Sequence, residues 1–275
     1  MTSPQSVNWA PWVFGDRGVD VDDPAETYHE ASRISRVMFD SRVRGAALLD
    51  RSSELRATVG RASARRHNAA SLGLPPSAPL ELSLGEAIAA RRSSREHTSA
   101  AMSLAQLASL LRAGYGVTGF APVGVPVRAA PSGGALFPLD LYVAARRVEG
   151  LGCDLHHHDP LRDGLELMRS FAPEELEQLT PAPRATRDAA AIVVVAASFW
   201  RTRFKYGQRG YRFALLEAGH VAQNILLAAT ALGFAGVPLG GFFDRQVNDF
   251  LELDGLHDAA LYLIPIGRPA RETSA

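Results

Sequence analysis

Three short stretches of the chain carry residue types whose spacing suggests chemistry. Arg91-Arg92-Ser93-Ser94-Arg95 sets three guanidiniums beside hydroxyls, the donor set that a phosphate calls for. Each charge-assisted bond of that kind contributes about 1.5–3 kcal/mol. Pro131-Ser132-Gly133-Gly134 is a glycine-rich corner where backbone can approach a flat ring, because adjacent glycines lift the Cβ constraint. Arg203-Phe204-Lys205-Tyr206-Gly207 places an amine and a phenol side by side. Lys205 stands between Arg203 and Arg209, whose charges favour its neutral, proton-accepting form. Together the stretches fit an anionic tail, a planar body and a proton transfer. Each also has a plainer reading. The arginines suit a helix C-terminus, where they offset the macrodipole. The glycines suit a loop feeding a strand, and the third stretch suits an exposed basic loop.

The elements around these stretches must position them. Ser83-x-x-Glu86 is a capping box in front of Ala87-Ile88-Ala89-Ala90, so a short helix delivers the arginines at its far end. Ser103 to Ala113 repeats the pattern, with Leu104, Leu107, Leu110 and Leu111 on one face. Leu139 to Val148 and Ala191 to Ser198 read as strands, the second apolar throughout and therefore central. Phe213 to Leu232 is a long helix of small and apolar residues, buried in the core or against another subunit. Arg245 to Leu251 reads as a short helix and Ala260 to Ile266 as a last strand. Strands and helices do not alternate strictly, which favours an α+β fold over a doubly wound sheet. His156-His157-His158, near Cys153 and Asp154, invites a metal reading. On a strand, however, His157 points away from His156 and His158, so a hairpin strand and no metal site are expected.

Composition narrows the function classes. The 275 residues hold 29 Lys+Arg and 29 Asp+Glu, and a net charge of zero argues against a general nucleic-acid binder. The single Cys153 excludes an intrachain disulfide and a Cys-rich zinc site. Met1 to Gly15 has no secretory pattern. The apolar run from Ala189 to Trp200 is too short to span a bilayer, and Asn224, glycines and Pro238 interrupt the one from Val221 to Phe243. A soluble, cytoplasmic protein with no membrane association is expected. Residues 1–80 form an N-terminal extension that opens with Trp9, Trp12 and Phe14. Residues 33–66 carry nine Arg against three acids, a net +6, as a solvated helix face or as a docking surface for an acidic partner. Leu74-Pro75-Pro76-Ser77-Ala78-Pro79 reads as a linker, and residues 81–275 as the main domain.

The order of the motifs carries more than any one of them. Arg91-Arg92-Ser93-x-Arg95, Pro131-Ser132-Gly133-Gly134-Ala135-Leu136-Phe137-Pro138, Lys205-Tyr206-Gly207, Leu216-Glu217-Ala218-Gly219-His220, Gly240-Gly241-Phe242 and Gly267-Arg268-Pro269 follow one another. In that order they resemble the SagB-type (thiazole/oxazole-modifying) dehydrogenases of the nitroreductase fold. The resemblance runs from about Leu80 to Pro269, and Tyr28-His29-Glu30 is similar to the family's N-terminal region. It implies an α+β homodimer with a mostly antiparallel central sheet, a helical dimer core and flavin mononucleotide (FMN) at the subunit interface. By position, Arg91, Arg92, Ser93 and Arg95 would hold the phosphate, ribityl chain and pyrimidine edge, and Arg268 would close on the phosphate. Pro131, Ser132, Gly133 and Gly134 would come from the opposite subunit to cover the ring. Pro238, Leu239, Gly240 and Gly241 would pack along the isoalloxazine. Lys205 and Tyr206 match the family's catalytic pair. His97 and the three histidines depart from the family's aromatic residues at those places, changes that bear on substrate choice rather than on the flavin. Glu217 and His220 lie on the long helix, where they satisfy each other or a backbone group.

Three functions stay open at this point. The resemblance implies oxidation of a peptide thiazoline or oxazoline to the azole during maturation of a ribosomally made peptide. Oxygen then reoxidises the flavin, and a cyclodehydratase is the implied partner. A second function is an NAD(P)H-dependent nitro- or quinone reductase of the same fold. The third is a flavin-free scaffold that binds a peptide through the region 33–66.

Overall fold

The computed structural model describes residues 23–33, 48–49, 51–52, 54–55, 58, 71–121 and 124–270. The N-terminal tryptophans and most of the arginine-rich stretch lie outside those residues. By packing, the chain forms two compact units, Met1–Arg42 and Val43–Ala275. In the first unit, α1 (Pro24–Ala31) starts at Asp23, whose carboxylate accepts from Ala25 N at 2.7 Å. It ends at Ser32, whose hydroxyl donates to Tyr28 O at 2.6 Å.

The second unit contains, in chain order, β1 (Ser71–Gly73), α2 (Leu84–Ala90), α3 (Leu104–Tyr115), β2 (Val117–Ala121), β3 (Val125–Arg128) and β4 (Leu139–Ala145). These are followed by β5 (Asp154–Asp159), β6 (Gly164–Ser170), α4 (Pro183–Arg187), β7 (Ala191–Ser198), α5 (Phe199–Tyr206) and α6 (Arg209–Ala231). The short β8 (Ala235–Gly236), α7 (Asp244–Leu251) and β9 (Asp258–Gly267) complete it. Seven strands form one sheet in the order β1-β6-β5-β4-β7-β9-β8, every neighbour antiparallel, while β2 and β3 make a separate hairpin. An α+β fold with an antiparallel sheet is therefore what the sequence builds.

The sheet works as a wall between two cores. Strand β7 is buried from Ala191 to Ala197, which explains its unbroken apolar run. Its Val193 and Val195 face Leu107, Leu111, Val221 and Ile225 of α3 and α6, whereas Ile192 and Val194 face Leu176, Val247 and Leu251 on the other side. Both capping boxes form, at Ser83–Glu86 and Ser103–Gln106, so α2 and α3 begin where their side chains dictate. The segment 74–79 is not a free linker. Arg112 of α3 donates to Leu74 O and Ser77 Oγ and pairs with Asp163, pinning it, while β1 just before it extends the sheet edge.

Two departures from the sequence reading matter for the site. The stretch around Lys205 is a helix, α5, rather than a basic loop, and α6 starts at Arg209, four residues before the expected Phe213. The two helices meet tightly. Thr202 donates to Gly210 O at 2.9 Å, and a Cβ on Gly210 would lie 2.6 Å from the Thr202 and Arg203 backbone. Phe199 stacks on Tyr211 at 4.4 Å.

An ionic network fastens α5 to the sheet. Arg201 donates to Asp140 at 2.7 Å and to Phe137 O at 3.3 Å. Asp140 lies 3.3 Å from Nε2 of His157, whose Nδ1 is 3.2 Å from Glu166. His157 and Glu166 are each 1% exposed. Burial disfavours the charged imidazole, but the bonds and charges of Asp140 and Glu166 outweigh it and raise its pKa above the ordinary 6.5. The three histidines lie on β5, with His156 and His158 on the opposite face from His157. Burial, with the positive charges of His157 and Arg128, pushes His158 down to about 3, so it is neutral there. Among the described residues no group of three His, Cys, Asp or Glu is placed to hold a metal ion, and no helix is long and apolar enough to cross a membrane.

Two outcomes follow from this packing. Gly210→Ala forces backbone apart at the α5–α6 junction and lowers stability by about 1–3 kcal/mol in urea unfolding. His157 contributes in full below its unfolded pKa, about 6.5, and its contribution fades as pH climbs through the raised folded value. His157→Leu, which takes one partner from each of two buried carboxylates that Arg201 and Arg162 still face, therefore costs roughly 1–3 kcal/mol at pH 6 and less in alkaline buffer. Unfolding midpoints measured across pH check both the loss and its fading.

Candidate functional site

The predicted residues assemble in two clusters. The first lies at the sheet's β8–β9 edge. Helix α2 ends at Arg91, and the chain then runs alongside β8, with Ser93 bridging Gly236 in parallel and Ser94 N donating to Gly236 O at 3.2 Å. Thr98 N donates to Arg268 O at 2.8 Å, so the arginine stretch and Arg268 belong to one edge. Arg92 and Arg268 each spend part of their guanidinium on protein carbonyls. Arg92 caps α2 through Ala89 O at 2.7 Å, the helix-terminus role the sequence also allowed. Arg268 donates to Gly233 O at 3.1 Å and lies over the Phe234 ring. Arg92, Ser93 and Arg95 are exposed and Arg91 half-buried, so donors remain for an anion.

Open space adjoins this edge. Arg268 lines a cleft of about 480 Å³ with Gln106 and the end of α6, and Arg95 lines another of about 410 Å³ with the segment 181–185. Pro238 and Leu239 lie inward of the same edge, Leu239 bonded to Leu263 of β9 at 2.8 Å. Gly240 and Gly241 are exposed, and nothing lies within 4 Å of a Cβ built on Gly241.

In the second cluster the glycine corner meets the amine–phenol pair. Gly134 has φ +67°, and a Cβ there would sit 2.6 Å from Tyr206 Oη and 2.9 Å from Lys205 Nζ. Only a residue without a side chain leaves both groups in place. Lys205 Nζ is 5.3 Å from the centre of the Tyr206 ring, which packs edge-on against Phe213 at 4.9 Å. Arg203 turns instead onto Trp200, 4.7 Å above the indole. The corner itself is bent hard. Ala135 and Phe137 have φ of 54° and 45°, a conformation side chains disfavour. Ser132 Oγ accepts from Phe137 N at 2.9 Å and closes the turn.

Beneath the corner lies a network the sequence reading missed. Tyr115 donates to Glu217 Oε1 at 2.6 Å and accepts from Leu139 N at 3.2 Å. Arg128 stacks 3.9 Å over Tyr115 and 4.8 Å from the centre of Phe137. Burial raises Glu217 from its ordinary 4.5 to about 7, against the pull of Ser132, Tyr115 and Arg128. Glu217 is thus partnered from α3 and not by His220, which is exposed. The partner of a buried acid stands 102 residues away in the chain, so no local pattern announces it. His97 is buried against the end of β9, bridging Pro269, and burial lowers its pKa. That position makes it a packing residue of the edge.

Comparisons with known proteins agree with this architecture. The chain is 35% identical to a nitroreductase-named protein of Methanocaldococcus jannaschii, over 68% of this chain and 92% of that protein. It is 31% identical to the microcin B17-processing protein McbC of Escherichia coli, over 45% of this chain and 48% of McbC, so it spans about half of that relative. Among solved structures, a nitroreductase-named protein of Anabaena variabilis superposes with a TM-score of 0.64 at 26% identity, covering 73% of this chain and 42% of that one. A chain of the E. coli microcin synthetase McbBCD complex, with truncated pro-MccB17 bound, shares the fold at 21% identity. Its TM-score is 0.58, with 86% of this chain and 98% of that chain covered. The nitroreductase family profile matches residues 88–268, which hold the whole sheet except β1 and both clusters, and the chain belongs to the nitroreductase family.

Proposed function

We propose that this protein is an FMN-dependent dehydrogenase that oxidises a thiazoline or oxazoline of a ribosomally made peptide to the azole, acting as a cytoplasmic homodimer. The observation that carries the reading is the contact of Gly134 with both Lys205 Nζ and Tyr206 Oη. It gives a base and a phenol one fixed address beside a glycine-rich corner. The likeness to McbC, named for processing microcin B17, supports a peptide substrate. A cyclodehydratase, which forms the azoline ring that this reaction consumes, is the proposed partner.

The chain's residues fit the flavin. Arg91, Arg92, Ser93, Arg95 and Arg268 offer donors to a phosphate along one edge, and the unhindered Gly240–Gly241 backbone offers a surface to a ring. Bound FMN supplies the hydride acceptor, with oxygen as the final oxidant. In the azoline, one C–H leaves as a proton and its neighbour as a hydride. The proton is the protein's task. Lys205 and Tyr206 stand together to take it, and a positioned base contributes about 10²–10⁴-fold in rate. Pro131, Ser132, Gly133 and Gly134 exclude water from that side.

Helix α6 supports the homodimer. It begins beside Tyr206, and Leu226, near its other end, packs on Gly236 at the arginine edge. Seventeen helical residues separate those points, a rise of about 25 Å. A second copy lying antiparallel along α6 brings one chain's proton-handling pair to the other chain's arginines. Leu215 and Leu216 on this helix are 41% and 62% exposed, apolar surface that such a partner covers.

The likeness to the Methanocaldococcus protein favours one other reading, an NAD(P)H-dependent nitro- or quinone reductase. The two separate cleanly. The purified protein is expected to be yellow, its colour bleached under anaerobic conditions by a heterocyclised peptide and only slowly by NADPH. Fast bleaching by NADPH with nitroarene reduction selects the reductase, and a colourless protein leaves a flavin-free scaffold. Lys205→Ala and Tyr206→Ala, loaded with flavin, each lose about 10²–10⁴-fold in azole formation, followed by mass spectrometry. Arg91→Ala binds FMN about 10- to 150-fold more weakly by fluorescence titration, the equivalent of one charge-assisted bond.

A further inference from the structure

Glu217 is buried to 2% exposure on α6 and is not used by the chemistry above. Its surroundings are specific. The groups that face it are Tyr115 from α3, Arg128 from β3 and Ser132 from the glycine corner. Arg128 in turn feels Asp140 and Arg201, the network that holds α5. One carboxyl oxygen is bonded to Tyr115 at 2.6 Å, while the other, Oε2, is buried without a bond of good geometry. The Ser132 hydroxyl faces the Glu217 carboxyl at the base of the corner and favours its charged form.

The corner needs such a support. Ala135 and Phe137 both hold positive φ, and strained residues persist only where their surroundings over-determine them. Phe137 is fixed by the bond from its N–H to Ser132 Oγ and by Arg128 over its ring, while its carbonyl accepts from Arg201. Ser132 is therefore the hinge pin of the turn. We propose that Glu217, through Ser132 and Tyr115, is the positioning residue that holds the loop 132–137 in the shape presenting Gly134 to Lys205 and Tyr206. The inference rests on the reading of those two residues as the proton-handling pair.

The test compares Glu217→Leu with Glu217→Gln, whose amide keeps a donor and an acceptor in the same outline. Without flavin, hydrogen exchange at the Phe137 amide is expected to quicken at least about 10-fold in Glu217→Leu and to stay near wild type in Glu217→Gln, as for one lost hydrogen bond. In the loaded enzyme Glu217→Leu loses about 10²-fold in kcat with KM little changed, the cost of a misplaced group. Between about pH 4.5 and 7 the folded protein holds a proton on Glu217 that the unfolded chain has released. Stability therefore falls with rising pH across that window, and Glu217→Gln removes the fall. If Glu217→Leu does not fold, Ser132→Ala keeps the Tyr115–Glu217 bond and is expected to reproduce the faster Phe137 exchange. Wild-type exchange and kcat in Glu217→Leu, or in Ser132→Ala, overturn the proposal. A wild-type enzyme inert toward azolines, with the exchange pattern as expected, sinks the proposed reaction and leaves the support role standing.

Discussion

The helix that carries the amine–phenol pair is tied to the sheet by the charge of Arg201. The guanidinium bonds the Asp140 carboxylate at the head of β4 and the carbonyl of Phe137 at the end of the glycine corner. It thereby joins helix α5 to a loop and the strand that follows it some sixty residues earlier in the chain. Lys205 follows one helical turn later. A buried charge network tolerates no missing member, because an unpaired ion in the interior costs more than the whole network gains. That intolerance is what makes the position of α5 definite. Asp140 cannot leave Arg201 without disturbing His157, and His157 in turn links Asp140 to Glu166.

The corner facing the pair is held from the opposite side by different physics. Arg128 lies flat on two aromatic rings, Tyr115 spans Leu139 and Glu217, and Ser132 closes the turn. None of these contacts is large, yet they converge on two residues, Ala135 and Phe137, whose backbone would otherwise relax. Gly134 is then pressed against Tyr206 and Lys205 with no room for a methyl group. A proton acceptor on a mobile lysine would spend most of its time out of line. Here the loop and the helix limit each other.

Much of this was legible in the sequence, and the reasons divide by range. The two capping boxes, the apolar β7 and the alternation of the three histidines are local signals, and each element stands where its own residues put it. Helix α5 was not legible. Phe199-Trp200-Arg201-Thr202-Arg203-Phe204-Lys205-Tyr206 has no apolar stripe, since its aromatic and basic residues alternate, and its fixing contacts to Asp140 and Gly210 come from outside it. The three-residue β1 is exposed throughout and shows no strand pattern within the N-terminal extension; β6 supplies the partner that makes it one. The His157 clamp was half-visible, as alternation set His157 apart from its neighbours. The two carboxylates that give the histidine its charge stand 9 and 17 residues off on other strands. The motif order singled out the residues proposed for the site, but the meeting of Gly134 with Lys205 and Tyr206 depends on packing across some seventy residues of chain.

The long helix then explains why the two clusters are separate in one chain. Helix α6 carries small residues where it meets the sheet and α3, so Ala214, Ala218, Val221 and Ala222 pack close. Its first turn is fixed by Thr202 and Tyr211, and its end by the return of Phe234 N to Ala229 O at 2.8 Å. A rod clamped at both ends keeps the arginine edge and the proton-handling pair at a constant separation. In the proposed dimer that separation is an advantage. Each cluster is completed within its own chain, by the β8 bridge on one side and by Gly134 on the other, and only the distance between two rods has to be right. The ionic network, the strained corner and the small-residue helix then serve one end. They make each half of the site stiff before the halves meet, so that association orders almost nothing further and loses little entropy in doing so.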